Sequence, residues 1–279
     1  MTSEEYCYQK AAPKGSAFYF SLSSMQKSGR DAVVAIAAFY EELNDIVFEC
    51  HDPAVAHAKF SWWRTEAAKL TEGKSDHPVI LSLQKYIPRY ELSPQRFIDM
   101  IDGIEQNINL SPFPSFEDIT LNIIHTVGIR ELLIADVLKQ NETISAESIY
   151  SLSLVMELIH HLQYLHRDVS RGCIFFGEDE LQKFQVTSAM LQEYKTTELI
   201  RALLQYQYEK IERAYNKAQT ELSHELKKNL ASTLIRCECA MAVLREIQKS
   251  QFNVLENLIH ITPLRRWWIS FRYNSNQIS

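Results

Sequence analysis

Apolar residues recur at positions 33, 36, 37, 40, 43 and 47, the three-and-four spacing of one buried helical face, and they predict a helix over about 31–50. Asp52-Pro53 marks the next start, and residues 54–70 follow as a helix carrying Trp62, Trp63 and Arg64. Residues 72–78, "EGKSDHP", read as a loop by their turn residues. Helices then follow at about 78–87 and 94–107, with "NLSPFPSF" before another at about 116–139. Asn141-Glu142-Thr143 is the next break, and a helix runs from Ala146 to Arg171. "FGEDELQKF" makes a turn and a short helix. Residues 186–248 hold neither Gly nor Pro and read as two long helices dividing around 218–224. No repeat or linker interrupts the pattern. The chain reads as one all-α domain over 1–279, with 1–15 as a loose N-terminal segment.

Composition agrees. Of 279 residues, 46% are hydrophobic, enough for a large core, while 7 Gly and 8 Pro leave few turns to punctuate strands. The net charge is −6 with no Lys/Arg block, which argues against nucleic acid as a partner. The longest apolar run, "AVVAIAAFY", is half of a spanning helix, and "MTSEEYCYQK" lacks the basic and apolar regions of a signal peptide. Five cysteines, odd in number and without CxxC spacing, fit a reduced, cytoplasmic protein.

Two stretches carry candidate chemistry. In "EELNDIVFE", Glu42, Asp45 and Glu49 share a helical face, and Asp45 with Glu49 is an i, i+4 pair able to share one divalent ion. A solvated acidic face is the plainer reading of that spacing. In "HHLQYLHRDVSRG", His161, Tyr164 and Asp168 share a face. His161 and Asp168 stand two turns apart on a continuous helix, ~10.5 Å along the axis and too far for one ion. His160, His161 and His166 therefore read as hydrogen-bonded packing.

In order along the chain, "GSAFYFSL", "GRDAVVAIAAFYEELNDIVFE", "WWRTE", "HPVILSLQKYIPRYELSPQRFIDMIDGIEQNI", "HTVG" and "RDVSRGCIFFGEDELQKF" resemble the bacterial squalene/phytoene synthase family, from about Ser16 to Phe271. The resemblance implies an all-α isoprenoid synthase fold around a central apolar cavity. It also implies a reaction in which two prenyl diphosphates join head to head, with Mg²⁺ held by two facing aspartate motifs. Diphosphate leaves with several negative charges, and metal ions are the means of stabilising them in an apolar cavity.

Against the family's pattern the site positions differ. The first motif's slots hold Glu41, Asn44, Asp45 and Phe48, so a basic residue has become acidic and two carboxylates are absent. The second motif's Gln, Asn and first Asp map to His161, Tyr164 and Asp168, and its second Asp falls in a gap about one helical turn long. Arg167, Asp168 and Arg171 remain. Ala17 and Leu258 stand where the family has Ser and Arg. The resemblance extends to a mitochondrial assembly factor for respiratory complex I, which also shortens the second motif.

Two classes of function follow. One is a non-catalytic member that binds a prenyl or other isoprenoid lipid, or serves a protein partner as an assembly factor, with weak or no metal binding. The other is an active Mg²⁺-dependent prenyltransferase using Asp45, Glu49 and Asp168, with Arg167 and Arg171 on the diphosphate. The C-terminal "PLRRWWISFRY" reads as a last helix laying its aromatics on the core, with peripheral membrane contact as the alternative.

Overall fold

The computed structural model describes residues 1–50, 52–108, 113–139 and 144–276. The predicted break at Asn141–Thr143 and the first four residues of "NLSPFPSF" lie outside them. Among the described residues the elements are helices, and the one β pairing is an isolated bridge between Phe113 and Gly177. Among the described residues no helix is long and apolar enough to cross a membrane.

The first three helices are α1 (Ser3–Ala11), α2 (Ala17–Ser21) and α3 (Lys27–Glu49). The predicted stripe forms α3, and every residue from Ala32 to Tyr40 is buried, so this helix runs through the core. Covering α3 are α1, α4 (Pro53–Ala68), α5 (Pro78–Tyr90), α6 (Pro94–Gln106) and, beyond α7 (Phe116–Ile123), α8 (Ile129–Leu138). Each of α4, α5 and α6 opens on a proline, whose missing N–H costs nothing in the first turn.

The N-terminal segment is not loose. Thr2 and Glu5 form a reciprocal capping box at the start of α1. Cys7 and Ala11 are buried, Tyr6 donates to Glu42 at 2.6 Å, and Tyr8 donates to Asp31 at 2.8 Å. These contacts fasten α1 along α3.

Between α7 and α8 the chain makes a π-helical turn over Ile124–Gly128. It packs so closely on α6 that a Cβ at Gly103 would lie 2.2 Å from the His125 carbonyl oxygen. The long helix predicted over 146–171 is two helices, α9 (Ala146–Gln163) and α10 (Leu165–Ser170). The break falls at Tyr164, whose φ of −103° and ψ of 19° leave the helical region. The Gly- and Pro-free stretch, after α11 (Glu178–Lys183) and α12 (Ser188–Gln192), forms α13 (Glu198–Glu221), the short α14 (His224–Asn229) and α15 (Ala231–Lys249). The last helix is α16 (Pro263–Asn276).

That last helix lays only some of its aromatics on the core: Tyr273 packs against it beside Ile269 and the buried Ser270, whereas Trp267, Trp268 and Phe271 are 45%, 53% and 50% exposed. Of the tryptophan pair on α4, Trp63 is buried against Phe39 and Trp62 is exposed. Arg64 reaches across to Asp102 and Glu105 on α6.

One buried ionic group ties the two ends of the domain. Glu131 on α8 accepts two hydrogen bonds from Arg236 on α15, at 2.7 and 2.6 Å, and one from Arg130 at 3.0 Å. Burial alone would raise the Glu131 carboxyl, but Arg236 and Arg130 hold it down to about 2. Because its folded value lies below the ordinary one, the stability it contributes is present above the ordinary carboxylate range and is lost as pH falls toward 2. Glu131→Gln strands two buried guanidinium groups and is expected to cost about 3–5 kcal/mol. Urea unfolding at pH 7 checks this, and the difference from the unsubstituted protein should shrink as pH is lowered through 4.

Candidate functional site

A cavity of about 540 Å³ opens beside α3. Ala37, Tyr40, Glu41, Asn44 and Phe48 lie on its wall because three- and four-residue steps keep them on one face. Met156, Glu157, His160 and His161 of α9 face the same space, as do Arg130 of α8 and Arg236 of α15. Arg167 of α10, Arg171, Cys173 and Phe175 complete the wall beyond α9. The lining therefore joins apolar side chains to four arginines and to the carboxylates of Glu41, Asp45, Glu49 and Glu157.

The acids on α3 do not stand free. The Lys10 ammonium, brought in by α1, donates to Asp45 and lies 3.4 Å from Glu42. Burial alone would lower the Lys10 ammonium, but Asp45 and Glu42 raise it above its ordinary range, so it stays charged. Asp45 and Glu49 both line the cavity, one turn apart. Glu41 lines it too and makes no hydrogen bond or ion pair among the described residues. Burial raises its carboxyl, with Arg130 opposing.

Asp168 lies elsewhere. It is 1% exposed, does not line the cavity, and accepts from Arg167 Nε at 2.8 Å. His161 Nδ1 sits 3.4 Å from its other carboxylate oxygen. The break at Tyr164 folds α10 back and closes the two-turn separation expected of a continuous helix. Burial would raise the Asp168 carboxyl, but His161 and Arg167 hold it below the usual range. His161 also stacks on Phe175 with ring centroids 3.5 Å apart, and His166 Nδ1 lies 2.5 Å from the Leu255 carbonyl oxygen. His161 is buried and lines the cavity, whereas His166 is exposed. Burial lowers His160, which is therefore neutral at pH 7, and its ring lies 4.7 Å from that of Tyr164.

Phe48 is where the arginines gather. The Arg167 guanidinium lies 4.4 Å from the Phe48 ring centroid and 4.4 Å from that of Tyr164, a cation between two π faces. Arg171 lies 5.3 Å from the same Phe48 ring and has no carboxylate partner among the described residues. Among those residues no three Asp, Glu, His or Cys side chains are grouped to hold a metal ion. Asp45 and Glu49 come together on the cavity wall, and Asp168 does not join them.

Sequence reading missed Lys10, Arg130, Glu131, Glu157 and Arg236. Glu131 had a signal, an acid inside the apolar run "IRELLIADVL". Lys10 had the capping box ahead of it. Nothing local announces Arg236 as the partner of a residue 105 positions earlier.

The fold and sequence have known relatives. A dehydrosqualene synthase solved with a ligand superimposes with a TM-score of 0.85 at 18% identity, over 98% of this chain and 96% of that one. A squalene synthase of Alicyclobacillus acidocaldarius gives 0.77 at 15% identity, over 90% and 95%. The phytoene synthase of Arthrospira platensis is 22% identical over 280 residues, 95% of this chain and 90% of its own length. The chloroplast phytoene synthase of Narcissus pseudonarcissus is 21% identical over 93% of this chain, which spans 63% of that protein's length. Residues 11–268 match the profile of squalene/phytoene synthases, and with its isoprenoid synthase fold the chain belongs to the squalene/phytoene synthase family.

Proposed function

We propose that this chain holds an isoprenoid ligand in the α3–α9 cavity and does not condense two prenyl diphosphates. The observation that carries the reading is the Lys10 ammonium on Asp45, which engages the one carboxylate left in the first motif's slots, with Glu42 beside it. Magnesium takes oxygen ligands in near-octahedral geometry and accepts little substitution. Asn44 brings no charge, Phe48 brings no oxygen, and Asp168 is buried against Arg167 and His161. This donor set does not fit the ion.

What the wall does fit is a ligand with an apolar tail and a polar end. Phe18, Val47, Ile123, Met156 and Phe175 offer apolar surface, worth about 25 cal/mol per Å² buried less the cost of immobilising the chain. Asn44, His160 and Arg171 offer hydrogen bonds to a hydroxyl, carbonyl or phosphate oxygen. A volume of 540 Å³ lies within the range of single-ligand pockets. The reading includes peripheral contact with a membrane, where such a ligand resides, and an assembly role toward a protein partner as the family's non-condensing alternative.

The second reading is an active prenyltransferase of the squalene/phytoene type. Asp45 and Glu49 side by side on the cavity wall favour it, as does the company of phytoene synthases. It requires Lys10 to leave Asp45 and Asp168 to be released from two partners.

Two measurements separate the readings. Calorimetric titration with Mg²⁺ is expected to show no saturable binding below the millimolar range, and added Mg²⁺ to shift the thermal stability of neither the unsubstituted protein nor Asp45→Asn. Saturable stabilisation abolished by Asp45→Asn restores the enzyme. In competition among farnesol, farnesyl diphosphate and squalene, EDTA is expected to change apparent affinity less than about twofold, and chain length to matter more than the diphosphate. Binding of the diphosphate alone, released by EDTA, contradicts the proposal.

A further inference from the structure

The outer face of α16 has a composition unlike the rest of the surface. Leu264, Trp267, Trp268 and Phe271 are between 45% and 72% exposed within two turns of one another. Their rings form a continuous plate, with Phe271 centroids 5.6 Å from Trp267 and 5.9 Å from Trp268, both stacked. Large apolar side chains exposed singly are ordinary, but a contiguous cluster marks a surface that meets something. The inner face is firmly seated. Ser270 donates to the Phe20 carbonyl at 3.0 Å, Arg266 to the Gly15 carbonyl at 3.0 Å, and Asn274 to Ser23 at 3.2 Å. The helix is therefore held to the domain along this face while the ring cluster stays about half exposed.

Charge identifies what it meets. The helix carries Arg265, Arg266 and Arg272 and no acid, in a chain whose net charge is −6. Arg265 is paired with Glu246, whereas Arg272 is exposed and makes no ion pair among the described residues. Beside the plate a groove of about 450 Å³ between α2 and α16 is walled by Tyr19, Phe20, Trp267 and Phe271. Arg30 also lines it, and its Nε is buried without a hydrogen-bond acceptor. Aromatic rings interleaved with arginines suit the headgroup level of a bilayer, where a ring's apolar body and a guanidinium are both accommodated. A second copy of the chain docked by a two-fold axis would set the three arginines of α16 against their own equivalents, which is unfavourable.

We infer that α16 is a membrane-docking helix that lays Trp267, Trp268, Phe271 and Leu264 into an anionic bilayer surface, with Arg272 and the Arg30 groove meeting lipid phosphates. This surface stands apart from the cavity, so its test neither needs nor decides the ligand reading. A single short helix binds weakly unless apolar and electrostatic attraction act together, so binding should require anionic lipid.

The test uses the full chain with vesicles of phosphatidylcholine, alone or with about one-third phosphatidylglycerol, by co-sedimentation and tryptophan emission. Only four tryptophans are present, so the change at α16 is readable against the pair on α4. Expected is binding at least about tenfold stronger to anionic vesicles, weakened by salt, with a blue shift that Trp267→Phe/Trp268→Phe abolishes. Arg272→Glu should weaken it about fivefold or more, and Trp267→Ala/Trp268→Ala/Phe271→Ala should remove it, with circular dichroism confirming the fold. Equal binding to neutral and anionic vesicles overturns the inference, as does wild-type affinity in the triple variant. A dimer in solution that the triple variant converts to monomer, without vesicle binding in either, assigns the face to a second copy and overturns it too.

Discussion

Charge taken out of water must be neutralised by something near it, and in this protein the neutralising groups belong to the chain itself. Arg236 and Arg130 answer Glu131, Arg167 and His161 answer Asp168, and Lys10 answers Asp45 and Glu42. Each pairing also fastens helices: α15 to α8, α10 to α9, α1 to α3. The same contacts engage Asp45 and Asp168, two of the three candidate metal carboxylates, and leave Glu49 without an ion pair among the described residues. Fold and electrostatics are solved by one set of side chains.

Phe48 shows the same economy on the cationic side. A carboxylate at that position would face Arg167 and Arg171. The phenyl ring instead gives both guanidinium groups a π face, which attracts them without supplying a metal ligand. Tyr164 doubles the effect on Arg167 and, by breaking the helix, turns Asp168 inward to meet His161. Phe48 thus meets both arginines of this part of the cavity wall, and Tyr164 shares Arg167 with it.

How far the sequence disclosed this depended on the range of the interaction. The α3 stripe was legible because burial imposes a local period, and the Gly- and Pro-free stretch fell into its long helices for the same reason. The break at Tyr164 was not, since the periodicity runs through it and the backbone angle at one residue leaves no compositional mark. Helix α1 buries only Cys7 and Ala11, too few for a stripe, although Thr2 and Glu5 spelled its start. On α16 the aromatics were read as inward because the segment is short for membrane binding, whereas of them Tyr273 packs inward and Ser270 bonds the Phe20 carbonyl. The Glu131–Arg236 pair joins residues 105 positions apart and has no local signature. The carboxylates at 45, 49 and 168 were legible as residues. Their separation into a cavity pair and a buried ion was a matter of tertiary structure.

The central claim is that a family built to ionise prenyl diphosphates has here a member whose remaining first-motif carboxylate, Asp45, is engaged by Lys10. Incubation of the purified protein with radiolabelled farnesyl or geranylgeranyl diphosphate, millimolar Mg²⁺ and NADPH tests it most directly. The account predicts that the labelled diphosphate is recovered intact, with no thirty- or forty-carbon hydrocarbon and no released diphosphate above a heat-treated control. Appearance of either hydrocarbon in proportion to protein concentration, and its loss in Asp45→Asn, would contradict it.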